Sequence, residues 1–281
     1  MVVDFERFTS PIQDLTFAEM RDHMKKKAGN HPFLMDSTTS NGHLNIYALM
    51  VSDQCPWHLI FRNRGKEFTF TGPLPLQVES CILRISDYNP TIDAYNKAAA
   101  CRKFPAVAIR ECVVNAVIHF DASVYEDIII EIRNDLLTVT SPGMMDTEGN
   151  STSGPRNRRL GNLMKILRYA DLSYSGIDAV RSCYRFSGMM PSFRNEKGYF
   201  TAYLPSLGSK SNMMANNKDH IRENLRSKPG ILITDLASLT FISIHELKKT
   251  ISMMEDEGEV FTLGMGSKRM IFLTNPPDDG L

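Results

Sequence analysis

The chain has 281 residues, 42% hydrophobic and 23% charged, an ordinary globular balance with room for one large or two to three small domains. Lys plus Arg equals Asp plus Glu at 32 each, so the overall charge makes no case for nucleic acid or for an acidic substrate; local clusters must carry any such case. The five cysteines (Cys55, Cys81, Cys101, Cys112, Cys183) show no CxxC and no Cys/His cluster, which argues against a zinc site or a disulfide framework and for reduced thiols in a cytoplasmic protein.

The opening MVVDFERFTS carries early acidic residues and no apolar core, so it does not read as a signal peptide. Nor does any apolar run approach the ~20 residues of a membrane helix. SPIQDLTFAEMRDHMKKKAG predicts a helix capped by Asp14 or Thr16, with its lysines at the C-terminal end where the dipole favours them. NGHLNIYALMVS is a short helix or a strand. WHLIFRN is strand-like and is followed by the polar RGKE, and the lone Trp57 is expected to anchor a core. LPLQVESCILRISDY has helical spacing.

FPAVAIRECVVNAVIHF predicts a helix over about 105–120, opened by Pro105. Its apolar residues are interrupted at a spacing of four by Glu111, Asn115 and His119, one stripe of carboxylate, amide and imidazole. That stripe is either a polar seam bonded to neighbouring loops or a functional site. Two β-branched runs follow, Ile128–Ile132 and Leu136–Thr140, around Arg133-Asn134-Asp135: a hairpin, ended by Ser141-Pro142-Gly143. Residues 143–157 have no period and read as a mobile loop. RRLGNLMKILRYADL and GIDAVRSCYRFSG resume helical spacing, and KGYFTAYLP is a strand. GPRNRRLGN is the densest basic cluster. Arg156, Arg158 and Arg159 at a helix start suit a phosphate, and the mild cost of cations at that dipole end tilts the reading toward an anion site.

The run 206–217, rich in Ser, Gly and Asn, reads as a linker by composition. Beyond it KDHIRENLRSKPG, TDLASLTF and SIHELKKTISMMEDEG predict three helices, and EVFTLGMGSKRMIFLT a strand–turn–strand. This is the plan of a winged helix-turn-helix, whose third helix would enter the major groove. Residues 218–275 hold eight Lys/Arg and eight Asp/Glu, so the expected phosphate contacts reduce to Lys248, Lys249, Lys268 and Arg269, and a protein-interaction winged helix has nearly equal weight. The sixteen methionines read as core gap-fillers.

In order, FPAVAIRECVVNAVIHFDAS, IIIEIRNDLLTVTSPGMM, PRNRRLGNLMKILRYADLSYSGIDAV and PSFRNEKGYFTAYLP resemble the bacterial RecG-like transcriptional regulators that carry a Schlafen/AlbA-type N-terminal domain. The match covers roughly 102–205. LTFAEM, NGHLNIYALMVSDQCPW and RGKEFTFTGPL resemble the segment closing the AlbA-type domain, and the chain starts too late to hold that domain whole. The resemblance implies an α+β protein. Its parts would be a partial AlbA-type segment over 1–100, a GHKL (histidine-kinase-like ATPase) sandwich over 101–207, a linker at 208–217 and the winged helix at 218–275.

The resemblance also implies ATP and Mg²⁺ as ligands, with Asn115 on the metal and Glu111 orienting or deprotonating the attacking water. His119, Asp121, Gly143, Arg156, Asn157 and Gly176 would be the other cofactor-binding positions. Against it, the family's HRDYS is HFDAS here, and the SPGGL and YGTGI loops each lack one glycine, at Met144 and around Ser175. Glycines there let backbone approach phosphate. The expectation is therefore a transcriptional-regulator-like protein that binds DNA, with a homo-oligomer allowed, and a central domain that binds nucleotide poorly. A slow Mg²⁺-dependent ATPase and a non-catalytic interaction scaffold are the alternatives.

Overall fold

In the computed structural model the first long helix, α1 (Ala18–Lys27), is capped from a distant loop and not by Asp14 or Thr16. Asp53 accepts from the backbone N–H of Ala18 (2.8 Å) and Glu19 (3.1 Å) and from the Thr16 hydroxyl (2.7 Å). A carboxylate there satisfies orphan donors and complements the helix dipole. The structure describes residues 4–29, 31–93, 100–144, 154–170, 176–185, 187, 189–207, 210–228, 230–240, 242–264 and 266–274.

Helix α2 (Ile46–Met50) is capped locally, the Asn45 side chain accepting from the Ala48 N–H. Strands β1 (Leu59–Asn63) and β2 (Lys66–Phe70) form a hairpin around Arg64 and Gly65, both at positive φ (48° and 79°), the two-residue turn that matches strand twist. The polar RGKE thus leads straight into a strand. Helix α3 (Leu74–Asp87), the short pair β3 (Thr91–Asp93) and β4 (Ala100–Arg102), and helix α4 (Ala106–His119) follow. Next come β5 (Ile128–Arg133), β6 (Leu136–Pro142), α5 (Arg158–Ile166), α6 (Gly176–Cys183), β7 (Ser192–Glu196) and β8 (Tyr199–Pro205).

The chain divides into two compact units. The first comprises Met1–Pro90, Phe104–Cys183 and Phe193–Leu204. It is built on a six-stranded mixed sheet of order β2-β1-β5-β6-β8-β7. The sheet does not begin at residue 101: β1 runs parallel to β5, in register from Leu59↔Ile128 to Asn63↔Ile132. The strand alternation puts Leu59, Phe61, Ile128, Ile130, Leu137 and Val139 on the buried face, where α3 lies against β1 and α4 against β5 and β6. The Gln77 side chain, 1% exposed, donates to Trp57 O (2.9 Å) and Gly72 O (2.6 Å) and accepts from Leu59 N–H (2.8 Å), which joins α3 to the start of β1. Trp57 is buried against Phe120 edge-on and Tyr125 face-on.

The second unit comprises Thr91–Lys103, Tyr184–Ser192 and Pro205–Leu281. It holds α7 (Lys210–Ser227), β9 (Ile231–Leu232), α8 (Ile233–Thr240), α9 (Ile244–Asp256), β10 (Val260–Leu263) and β11 (Met270–Leu273). Strands β9, β10 and β11 form an antiparallel sheet of order β10-β11-β9, and the antiparallel pair β3-β4 belongs to the same unit. Ile221, Leu225, Leu236, Leu247, Ile251 and Ile271 make its core. The run read as a linker is helical from Lys210. Asn217, Ile221 and Leu225 lie on one buried stripe of α7, and no Gly or Pro between 210 and 227 stops the helix from extending upstream. Among the described residues no helix is long and apolar enough to cross a membrane.

Candidate functional site

From Glu111 to Ile118 every residue of α4 is buried except Asn115, and His119 is half-buried at the helix end. Asn115 and His119 are therefore where the second half of α4, enclosed elsewhere, opens; its first turns are exposed at Ala106, Val107 and Arg110. Glu111, 8% exposed, accepts from the Arg110 guanidinium (3.1 Å). Among the described residues neither the Asn115 carboxamide nor the His119 ring has a hydrogen-bond partner. Helix α6 starts on the same stripe. A Cβ built on Gly176 would lie 2.2 Å from Asn115 Nδ2 and 3.0 Å from Cγ and Oδ1, so backbone packs directly on the amide.

Asp121 and Arg156 form an ion pair at 2.7 Å. The other Asp121 oxygen accepts from the Ser123 N–H (3.1 Å) and hydroxyl (2.6 Å). Burial pulls the Asp121 carboxyl upward, but Ser123 and Arg156 together hold it below the usual aspartate value. His119 is pushed down to about 4, first by burial and then by the Arg156 charge, so its ring is neutral at pH 7. Gly143, at φ 98°, needs to be glycine. Its Cβ would meet Asp121 at 3.2 Å and its N–H is spent on Gly198 O (2.7 Å).

Asn157 is 1% exposed, and its polar groups are turned to the end of α4. Its side chain donates to Val117 O (3.3 Å) and Phe120 O (3.1 Å), and its N–H donates to Ile118 O (2.9 Å). These bonds satisfy carbonyls that a helix end leaves orphaned. The structure thus gathers Asn115, His119, Asp121, Gly143, Arg156 and Gly176 around the end of α4 and gives Asn157 to the helix terminus.

The basic start of α5 is compensated from within. Glu6, fully buried, accepts from the N–H of Arg159 (2.8 Å) and Leu160 (2.9 Å). Asp4 accepts from the Arg159 guanidinium (3.3 Å). Burial raises the Glu6 carboxyl above its ordinary value, against the pull of those two N–H groups and of Arg159. Sequence reading passed over Glu6, since no local pattern links residues 153 apart. Arg158 is exposed. Among the described residues no group of three or more His, Cys, Asp or Glu is placed to hold a metal ion.

In the second unit Lys248 and Lys249 lie exposed on α9, and Lys268 is exposed in the turn between β10 and β11. Arg269 is otherwise engaged, donating to Glu255 (2.9 Å) and to the Thr262 hydroxyl (3.0 Å). Arg222 pairs with Glu259 and Asp219, and Lys218 with Glu257. Glu255 and Glu257 at the end of α9 are thereby paired, from the turn before β11 and from α7.

Residues 126–204 match the family model described as "Putative ATP-dependent DNA helicase recG C-terminal". They form a RecG C-terminal-like ATPase-type domain. The matched region includes Gly143, Arg156, Asn157 and Gly176, and α4 with its stripe immediately precedes it. No curated protein matches the sequence. Among solved structures the chain is similar to the DIP2311 protein from Corynebacterium diphtheriae, at 14% identity and a TM-score of 0.57. That similarity covers 96% of this chain and 70% of that one, and it concerns the fold alone.

Proposed function

We propose that this protein is a DNA-associated regulator whose central domain binds Mg²⁺–ATP weakly, with hydrolysis slow or absent. The observation that carries the nucleotide half is the opening of α4 at Asn115 and His119. Polar groups on a helix as buried as this one are ordinarily paired within the protein or with water. These two have no hydrogen-bond partner among the described residues and sit beside a RecG C-terminal-like domain. An amide oxygen suits a hard cation, so Asn115 is the residue that would hold Mg²⁺. When bound, the ion supplies charge neutralisation at the phosphates. Neutral His119 donates or accepts a hydrogen bond there without adding charge. Glu111 stands one turn back, nearly buried and bonded to Arg110, a poor position from which to take a proton from water. Binding without appreciable turnover is the reading that fits.

The DNA half rests on the second unit. From α7 onward its succession of helix, strand, two helices and two strands, with sheet order β10-β11-β9, supports a winged helix. Helix α9 would then be the recognition helix, with Lys248 and Lys249 on its exposed side and Lys268 in the wing. Arg269 serves Glu255 and drops out of the phosphate-binding set.

Calorimetric titration with Mg²⁺–ATP tests the nucleotide half. Wild type is expected to bind more weakly than about micromolar and Asn115→Ala to lose binding. Equal affinity in the two proteins, or no heat from wild type at millimolar nucleotide, would overturn it.

A further inference from the structure

Of the carboxylates that neutralise the basic start of α5, Glu6 and Asp121 have different settings. Glu6 is 0% exposed and accepts from two helix N–H groups. Its departure would strand both backbone donors, so it is a fixed part of the fold. Asp121 and Arg156 are 28% and 27% exposed in their side chains. One Asp121 oxygen is anchored by the Ser123 N–H and hydroxyl, and only the other takes Arg156. If Arg156 left, Asp121 would keep two hydrogen bonds and some solvent, and no buried group would be orphaned. Among the described residues the guanidinium has one further hydrogen bond, a long one to Met144 O at 3.4 Å. Its charge is felt by His119, and its Cζ lies 3.5 Å from where a Gly143 Cβ would be. Arg156 is thus held by an exchangeable partner beside the open end of α4.

We propose that Asp121 stands in for a phosphate at Arg156: a polyphosphate ligand takes the guanidinium, and Asp121 stays behind on Ser123. This rests on the nucleotide reading above and adds a selectivity device to it. A planar guanidinium binds phosphate oxygens bidentately, and a terminal phosphate carries more charge than a carboxylate. A ligand with such a group displaces Asp121 and is repaid. One without it leaves the pair closed and gains nothing. The internal carboxylate therefore weakens polyphosphate binding while leaving nucleoside binding unaltered.

The test is calorimetry of the full chain with Mg²⁺–ATP and with adenosine, on wild type, Asp121→Asn, Arg156→Gln and the double variant. Asparagine keeps an acceptor for Ser123 and releases Arg156. Asp121→Asn is expected to bind Mg²⁺–ATP roughly fivefold more tightly than wild type, the scale of a half-exposed ion pair, with adenosine unchanged. Arg156→Gln should bind more weakly than wild type, and in its background Asp121→Asn should bring no gain. A gain that persists without Arg156 would mean simple removal of negative charge and would overturn the proposal. So would equal Mg²⁺–ATP affinity in wild type and Asp121→Asn. Asp121→Ser gives the same comparison if the amide variant melts early. If Asn115→Ala abolishes binding while Asp121→Asn matches wild type, only this proposal falls; if no variant binds nucleotide, the nucleotide reading falls and this falls with it.

Discussion

A methyl group on Gly176 would enter space now filled by the Asn115 carboxamide, 2.2 Å from its nitrogen. Gly176 is not among the glycines at positive φ, so it is glycine for room and not for backbone freedom. Gly176→Ala forces either Asn115 into another rotamer or the start of α6 away from α4. Overpacking of this kind costs about 1–3 kcal/mol. Alanine's helix preference returns at most about 1 kcal/mol, and less in a first turn. The obstacle is the tip of one side chain, unbonded among the described residues, so the net loss should lie at the low end, about 1 kcal/mol, which for a chain of this size lowers Tm by roughly 2–4 °C. Thermal unfolding followed by circular dichroism reads it. The decisive arm is the Asn115→Ala background, where the obstacle is gone and Gly176→Ala should be close to neutral, a coupling of about 1 kcal/mol or more. A neutral Gly176→Ala, or the same loss in both backgrounds, would refute the close approach of α6 to the stripe.

His119 gives a pH signature. Its folded value, about 4, lies below the ordinary ~6.5 of an unfolded chain, so between those limits the unfolded state binds more protons. Its contribution to stability is whole above about pH 6.5 and is lost as pH falls toward 4, up to roughly 3 kcal/mol across that window. Denaturant unfolding at a series of pH values should show this loss in wild type and a flatter profile in His119→Asn; parallel profiles would count against it. In the second unit, Lys248→Ala with Lys249→Ala should reduce the slope of log affinity for duplex DNA against log salt by about 1.8, the loss of two phosphate contacts. An unchanged slope would remove α9 from the DNA interface.

Much of the local architecture is legible along the chain, because the spacings that create it are local. The period of four in Glu111, Asn115 and His119 marks one helical stripe, the paired β-branched runs mark β5 and β6, and Ser243 sits three residues before Glu246, whose N–H it accepts. Edge strands escaped that reading. Strand β2 carries Lys66, Glu67 and Thr69 exposed, so no apolar run announces it, and its pairing with β1 decides its conformation. Helix α7 likewise extends over residues whose composition suggests a linker, because its buried stripe lies downstream at Asn217, Ile221 and Leu225. The charges of the site were decided only in three dimensions. Arginine residues read as candidates for an incoming phosphate or for DNA proved to have partners of their own: Asp121 for Arg156, Asp4 and Glu6 for Arg159, and Glu255 for Arg269. An ion pair forms at about 3 Å whatever the separation along the chain. The sequence states which charges exist, and the path of the backbone determines which of them are already neutralised.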